Sequence, residues 1–212
     1  MQASATRNLF LVDDHPVVRS GLQQLIDIHP GFTVSGEASS AEEALEQLEK
    51  PGVTVDLLVT DLRMGQLSGI DLTRLVKTRR PELPVLLLSS FDESLHAEHA
   101  LEAGASGYIM KDAIVDVLFD AMESAVDGGI WLSDSMWDRL LPPHARGSVE
   151  LTAEERALVH ALSGVPGPVR AVAARLGQPT DRVQAGIVAL MQKLRLFSPL
   201  QVRLWAHRAN AA

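Results

Sequence analysis

LLVTDLRMGQLSG (residues 57–69) contains a short apolar run that ends at an acid. Its first three residues have the composition of a strand that is buried on both faces. The run stops at Thr60 and Asp61, and a loop with two glycines follows. An isolated Asp often closes a strand or opens a turn, so the meaning of Asp61 depends on which residues the fold places beside it.

Short apolar runs alternate with helix-like stretches through the first 127 residues. The apolar runs are 9–14, 32–38, 55–61, 84–90 and 107–112, and the stretches with helical periodicity are 16–29, 40–50, 68–80, 93–104 and 113–128. Five strands that alternate with five helices predict an α/β doubly wound fold, in which helices cover both faces of a parallel sheet. Right-handed crossovers bring the C-terminal ends of all strands to one edge, where such sheets bind ligands.

Four of these strand ends supply a polar side chain to that edge. The first supplies Asp13 and Asp14, the third Asp61, the fourth Ser89 and the fifth Lys111. Carboxylates that share a site repel one another unless a cation neutralises them, and oxygen ligands favour Mg²⁺. A divalent cation, a hydroxyl and an ammonium can together bind the oxygens of a phosphoryl group. The sequence therefore predicts a Mg²⁺ and phosphoryl site.

The motifs LVDDHPVVRSGL, DLRM, LSG, LLLSS and GASGYIMKD closely resemble those of the receiver domain of two-component response regulators, in position and in order. The resemblance covers about residues 8–127 and implies a flavodoxin-like fold. It implies that Asp61 accepts a phosphoryl group from a sensor histidine kinase. It also implies that Asp14 and Asp61 ligate Mg²⁺ directly, Asp13 acts largely through water, and the Arg63 carbonyl is a further ligand.

The same resemblance gives roles to residues around the phosphoacceptor. Ser89, rather than its neighbour Ser90, would be the switch hydroxyl, and Lys111 would hold the phosphoryl group. Tyr108 would be the aromatic residue of the switch, although a buried aromatic is also commonly a plain core residue. Gly65 stands where the family usually has Pro, which predicts a looser loop and a somewhat weaker metal site.

A second region, of opposite charge, follows a helical linker at 128–148. The first 147 residues have a net charge of −12, and the last 65 residues have a net charge of +4. This asymmetry is typical of proteins that bind nucleic acid through one domain. Helical periodicity covers 152–164, 168–177, 181–196 and 199–209. The motifs VAARLG, KLRL and QVRLWA resemble the four-helix, helix-turn-helix domain of NarL/LuxR-type regulators. We therefore expect a receiver at 1–127, the linker, and a DNA-binding domain at 149–212.

The DNA-contacting residues of this second region depart from the family pattern. The candidates are Arg170, Arg182, Gln184 and Lys193, although each cation could equally belong to a solvated helix face. Gly186 lies inside the expected recognition helix, where glycine costs roughly 1 kcal/mol relative to Ala, and a proline-rich turn (GVPGP, 164–168) precedes the second helix. Two functions remain open: a transcription regulator that binds DNA, and an interaction regulator whose helix-turn-helix does not.

Several other classes of protein are disfavoured. The absence of cysteine excludes disulfides and thiolate metal sites, and no apolar run is long enough for a transmembrane helix, so we expect a cytoplasmic signalling protein. We do not expect an enzyme. The enzymatic alternative is a metal-dependent phosphatase with an aspartyl nucleophile on a similar sheet, but that class has a second acid two residues after the nucleophile, where this chain has Arg63. A homodimer is compatible with the resemblance, and Trp205 and the face with Phe119 and Met122 are candidate contacts.

Overall fold

The N-terminal half is built on a five-stranded parallel sheet. The computed structural model describes residues 6–90, 94–146, 149–163 and 169–211. The strands are β1 (Arg7–Val12), β2 (Phe32–Ala38), β3 (Leu57–Asp61), β4 (Val85–Ser89) and β5 (Gly107–Met110), in the spatial order β2-β1-β3-β4-β5. All neighbouring pairs are parallel. The predicted doubly wound, flavodoxin-like fold is thereby confirmed.

Five helices cover the two faces of this sheet. They are α1 (Pro16–Asp27), α2 (Ala41–Leu48), α3 (Gly69–Arg79), α4 (Ser94–Ala103) and α5 (Ile114–Val126). Apolar residues of α2, α3 and α4 pack on one face, and those of α1 and α5 pack on the other. Residue 93, with which the predicted fourth helix begins, lies outside the described residues.

The start of α3 is fixed by a reciprocal cap. Ser68 Oγ accepts a hydrogen bond from the Asp71 backbone N–H, and the Asp71 carboxylate accepts bonds from the Ser68 backbone N–H and hydroxyl. These bonds hold the pKa of Asp71 below its usual range. Such caps typically contribute about 1 kcal/mol, and this one sets where α3 begins relative to Asp61.

After the linker strand segment at Trp131, the described secondary-structure elements of the C-terminal half are all helices. It contains α6 (Asp134–Leu140), a 3-10 helix (Pro143–Arg146), α7 (Ala153–Ser163), α8 (Val169–Leu176), α9 (Thr180–Leu194) and α10 (Pro199–Ala211). The four helices expected for a helix-turn-helix domain are α7 to α10, and α6 lies in the expected linker. The proline-rich turn at 164–168 lies outside the described residues.

The linker docks on the edge of the sheet. Trp131 forms a parallel bridge with Gly107 of β5. The Tyr108 backbone N–H donates to the Trp131 carbonyl at 3.3 Å, and the Trp131 N–H donates to the Ser106 carbonyl at 2.9 Å. The linker thus covers an edge strand that would otherwise expose unpaired backbone groups.

The last helix is docked on the linker. His207 Nε2 accepts a hydrogen bond from the Ile130 N–H at 3.1 Å, and the His207 ring stacks on Trp137 with a centroid distance of 6.3 Å. Gln201 Nε2 donates to the Leu140 carbonyl at 3.1 Å. Buried apolar residues form one continuous cluster from the sheet through α6 into α10. The two halves are therefore packed together.

The residues expected to form a dimer interface are mostly buried inside the chain. Trp205 is 5% exposed and Met122 is fully buried, and the Phe119 ring packs on the ring of His29 with a centroid distance of 4.7 Å. Trp205 and Met122 are thus covered within the chain, which the helical pattern alone could not show, whereas Phe119 stays partly exposed. The dimer contacts themselves stay a prediction. Among the described helices, none is both long enough and apolar enough to cross a bilayer.

Candidate functional site

A buried ion-pair network lies at the C-terminal edge of the sheet. Lys111 Nζ donates to Asp13 Oδ2 at 2.8 Å and lies 2.9 Å from Asp61 Oδ1. Asp13 is fully buried and Asp61 is 5% exposed. The end of β1, the end of β3 and the residue after β5 thus bring two carboxylates and one ammonium together, because parallel strands end at one edge.

Asp14 and His15 complete this cluster on the solvent side. The Asp14 side chain is partly exposed, and its Oδ1 lies 2.6 Å from His15 Nδ1. The His15 backbone N–H donates to Asp13 Oδ1 at 2.8 Å, so the chain after β1 turns around the buried carboxylate. From the sequence alone, His15 is interpreted as a surface or packing residue rather than a ligand, because Mg²⁺ prefers oxygen.

The arrangement is compact enough for one metal ion. One ligand atom from each of Asp13, Asp14, His15 and Asp61 lies within 4.8 Å of every other. Oxygens on opposite sides of Mg²⁺ are roughly 4 Å apart, since each lies about 2.0–2.1 Å from the ion. Three carboxylates are the hard ligands that this ion prefers. The donor set therefore fits Mg²⁺, with the imidazole as its softest member.

The electrostatics of the site balance burial against charge pairing. Burial raises the pKa of Asp61, and the Asp13 charge adds to this effect, whereas Lys111 and the Leu62 N–H act in the opposite direction. Burial opposes the positive charge of Lys111, but its bonds to Asp13 and Asp61 outweigh burial and raise its pKa. Lys111 is thus a firmly protonated cation, and Asp61 is a carboxylate whose charge is only partly compensated.

The loop after Asp61 is held tightly against the start of α3. The Leu62 N–H donates to the Leu88 carbonyl at 2.8 Å, and the Gly69 N–H donates to the Leu62 carbonyl at 2.9 Å. A Cβ at Gly69 would lie 2.1 Å from the backbone oxygen of Asp61. Only glycine permits this approach, which explains the second glycine of LLVTDLRMGQLSG.

The loop conformation corrects the interpretation of Gly65. Its φ is +37°, which lies in the left-handed region, whereas proline requires a φ near −65°. The loop is therefore not a loosened form of a proline loop, because its backbone follows a path that proline cannot adopt. Arg63, whose carbonyl is a predicted ligand, is exposed two residues after Asp61.

Ser89 and Tyr108 lie on the same face of the sheet as α3 and α4. Both are buried, and the register pairs Ser89 with Met110 and Leu87 with Tyr108. The Lys111 N–H donates to the Ser89 carbonyl at 2.7 Å, so the serine and the lysine are joined through the backbone. Ser90 is exposed, which favours Ser89 as the hydroxyl of the site.

The four DNA-contact candidates differ in their partners. Arg182 Nη2 donates to Glu154 Oε1 at 2.8 Å, and Lys193 Nζ donates to Glu155 Oε2 at 2.7 Å, so acids of α7 pair with both cations of α9. Gln184 of α9 and Arg170 of α8 are exposed. Two of the three basic candidates are therefore paired with acids.

Gly186 allows α9 to cross α7 closely. A Cβ at this position would lie 2.7 Å from Leu158 Cδ2, so any larger residue would have to displace that side chain. The glycine inside the expected recognition helix therefore has a packing role, although it lowers helix propensity.

Comparison with known proteins agrees with this architecture. A model of the response regulator receiver domain matches residues 9–123, more than half of the chain. The DNA-binding transcriptional activator DevR/DosR of Mycobacterium tuberculosis is 34% identical over 206 residues, which covers 93% of each chain. The chain belongs to the NarL/LuxR-type response regulators.

Other members of this family match over similar lengths. The nitrate/nitrite response regulator protein NarL of Escherichia coli K12 is 28% identical over 208 residues, or 94% of each chain. The crystal structure of a LuxR-family two-component response regulator from Aurantimonas sp. SI85-9A1 has 35% identity and a TM-score of 0.59, and covers 62% of this chain and 93% of that one. NarL/LuxR-type regulators control transcription, and receiver domains bind Mg²⁺ through their acidic pocket.

Proposed function

We propose that Asp61 accepts a phosphoryl group from a sensor histidine kinase in a Mg²⁺-dependent reaction. The observation that supports this most strongly is the convergence of Asp13, Asp14 and Asp61, with ligand atoms within 4.8 Å of one another, beside the Lys111 ammonium. The family match makes this chemistry the expected one. A cytoplasmic location, in which the kinase domain is accessible, belongs to the same proposal.

Each residue of the site has one task in the transfer. An oxygen of the Asp61 carboxylate forms the new bond to phosphorus, while the bond from phosphorus to the donor histidine nitrogen breaks. Lys111 Nζ, already within 3 Å of Asp61, donates to a phosphoryl oxygen. Asp14, Asp61 and the Arg63 carbonyl would hold Mg²⁺ directly and Asp13 largely through water. The ion supplies positive charge to the phosphoryl oxygens.

Ser89 and Tyr108 would transmit the new charge to the linker. The Ser89 hydroxyl would donate to a phosphoryl oxygen, and Tyr108 lies on the same face of the sheet. Tyr108 also lines a cavity with Trp131 and Met136 of the linker, and its N–H bonds to Trp131. A shift at Ser89 that moves Tyr108 would therefore alter the packing of the linker and bias the populations of two states.

The output that we propose is DNA binding by a domain at residues 149–212, joined by the linker 128–148 to a receiver at 1–127. The full-length similarity to a DNA-binding transcriptional activator supports it. Arg170 and Gln184 are the candidates for DNA contact without an acidic partner among the described residues, and Arg182 and Lys193 are the paired ones. Few free cations predict weak and salt-sensitive binding. Dimerisation of phosphorylated protein on DNA is part of this proposal.

One observation favours the alternative, an interaction regulator that does not bind DNA. Ion pairs with Glu154 and Glu155 leave the exposed side of α9 with little net positive charge. Apart from the acidic Asp181, its other exposed residues are uncharged: Thr180, Gln184, Ala185, Val188, Ala189 and Gln192. A face of this kind suits a protein partner better than a phosphate backbone.

Genome-wide occupancy of the phosphorylated protein distinguishes the two outputs. The DNA-binding proposal predicts discrete sites that strengthen on phosphorylation and disappear in the Asp61→Asn variant. Absence of any enriched site, together with co-purification of a stoichiometric protein partner that depends on phosphorylation, would instead establish the interaction regulator.

A further inference from the structure

A cavity of about 350 Å³ lies between the receiver half and the C-terminal helices. It is lined by Arg74, Lys77 and Thr78 of α3, Glu102 and Ala103 of α4, Gly104, Arg170 of α8 and Arg203 of α10. Four of these residues are basic, and Glu102 is the one carboxylate among them. Arg74 already pairs with Asp71 at 3.2 Å, so Lys77, Arg170 and Arg203 are three cations against the single carboxylate of Glu102, an excess of positive charge in the lining.

Lys77 is an unusual residue for the buried side of a helix. It is 5% exposed, and Nζ donates to the Pro81 carbonyl at 3.1 Å. Within the described residues its ammonium has no carboxylate partner. Burial and, to a lesser extent, the nearby charge of Arg203 lower its pKa, and Glu82 raises it by a smaller amount, so that the pKa is about 8. Buried lysines of this kind are costly unless they are paired.

Arg203 approaches the same cavity from the C-terminal half. Burial lowers the pKa of its guanidinium to about 10. Among the described residues, its guanidinium has neither a hydrogen-bond acceptor nor an ion-pair partner. Two cations from different halves of the chain thus line one space, and among the described residues no carboxylate forms an ion pair with either of them, an arrangement that repulsion opposes.

Gly104 allows the chain after α4 to pass close to the Lys77 side chain. Gly104 has a φ of +105°, and a Cβ there would lie 3.0 Å from Cγ of Lys77. Lys77 lies eight residues after Gly69, which is roughly 12 Å along α3. The cavity is therefore separate from the carboxylate cluster, which lies at the other end of this helix.

We propose that this cavity is a binding site for a small phosphate-bearing molecule that bridges the receiver half and the C-terminal half. The guanidinium of Arg203 and the ammonium of Lys77 are the groups that proteins use to bind phosphate oxygens. The volume lies near the lower end of the range for small-molecule sites and is far too small for a DNA duplex. Because its cations come from both halves, the ligand stabilises the docked arrangement by linkage.

Binding of simple phosphates to the full-length chain tests this site. Inorganic phosphate, pyrophosphate and adenosine 5′-monophosphate are titrated by calorimetry in EDTA, which removes any metal-assisted binding at Asp61. The variants are Lys77→Met and Arg203→Met, and Lys50→Met is the matched control, since Lys50 is an exposed lysine outside the cavity. A short duplex of random sequence is a separate titrant that supplies phosphate from DNA.

The proposal predicts saturable binding of at least one small phosphate to the wild type and to Lys50→Met. Each cavity variant should weaken it by about tenfold or more, as expected for a lost charge-assisted hydrogen bond, while duplex affinity stays the same in Lys77→Met. Equal binding by all variants, no saturable binding, or a parallel loss of duplex binding in Lys77→Met would overturn the proposal. Lys77→Met alone decides the outcome if Arg203→Met does not fold.

Discussion

The backbone oxygen of Asp61 lies only 2.1 Å from the position that a Cβ of residue 69 would occupy, which is much closer than a real contact allows. Gly69 is the first residue of α3, so the start of this helix is packed against the candidate phosphoacceptor without any intervening side chain. The Ser68–Asp71 cap holds the helix end in place from the other side. The geometry of the site therefore depends on a glycine that bears no functional group.

Replacement of this glycine should damage both the fold and the site. Gly69→Ala forces the Asp61 backbone or the start of α3 to move, and we expect a loss of about 1–3 kcal/mol in the free energy of unfolding, with slower phosphorylation. Urea denaturation measures the first effect. Gly21→Ala is the control, because Gly21 lies within α1 and has open space around it; it should stabilise the protein by up to about 1 kcal/mol. Equal effects at the two positions would refute the packing argument.

Removal of the Asp61 charge should stabilise the metal-free protein at neutral pH. Burial raises the pKa of Asp61, so the folded protein binds a proton there more tightly than the unfolded chain does. Ionisation of Asp61 therefore lowers the free energy of unfolding at pH values above the pKa of the folded protein. This loss disappears below about pH 4, the ordinary pKa of Asp, because Asp61 is then protonated in both the folded and the unfolded chain. In EDTA, Asp61→Asn should have a higher melting temperature than the wild type at pH 7, with a gain that shrinks on acidification.

Mg²⁺ provides the control for that measurement. The ion should raise the melting temperature of the wild type more than that of Asp61→Asn, because the variant lacks one carboxylate ligand. A destabilised variant in EDTA at pH 7 would mean that the bond between Asp61 and Lys111 outweighs burial, contrary to the pKa direction.

The charge of Lys77 should also lower the free energy of unfolding, but with a pH dependence opposite to that of Asp61. Its pKa is about 8 in the folded protein, so the charged form is destabilising below pH 8, and the wild type gains stability as the pH rises toward 10.5. Lys77→Met should therefore stabilise the ligand-free protein by on the order of 3 kcal/mol at pH 7, with less gain at pH 10. Thermal melts across this range measure it, and Lys50→Met should show no comparable trend. A destabilised Lys77→Met at pH 7 would contradict the argument.

The ion pairs of α7 with α9 should limit DNA affinity. Glu154→Gln and Glu155→Gln release Arg182 and Lys193 respectively. Each freed cation that reaches a phosphate should steepen the dependence of log affinity on log salt by about 1. Fluorescence anisotropy with a duplex at several salt concentrations measures this slope. Glu150→Gln removes an exposed acid outside these pairs and sets the baseline, and slopes equal to that baseline would show that α9 does not face the phosphate backbone.

Sequence patterns were sufficient for the sheet and for most of the candidate site. The apolar runs ended at polar residues, and because parallel strands end at one edge, the proximity of Asp13, Asp61 and Lys111 could be predicted without coordinates. Gly65 could not be interpreted in this way. Its significance depends on a positive φ, and a residue name alone does not reveal which of its allowed conformations a glycine adopts.

Features that join distant segments were not predictable. The docking of Trp131 on β5 and the pairing of Arg182 with Glu154 depend on how separate elements pack, not on local periodicity. The helical pattern of α3 likewise gave no sign that Lys77 is buried, because the C-terminal half contributes to the surface that covers it. Charge composition suggested a basic DNA-binding end, whereas pairing neutralises part of that charge.

Phosphorylation of Asp61 is the central claim, and mass spectrometry of the intact protein tests it most directly. The full chain is treated with a small phosphodonor such as acetyl phosphate, with Mg²⁺ or with EDTA, alongside Asp61→Asn and the control Asp127→Asn, an aspartate outside the cluster. We predict one added phosphoryl group in the wild type and in Asp127→Asn with Mg²⁺, and none in EDTA or in Asp61→Asn. Stoichiometric labelling of Asp61→Asn, or labelling of the wild type that does not depend on Mg²⁺, would contradict the account.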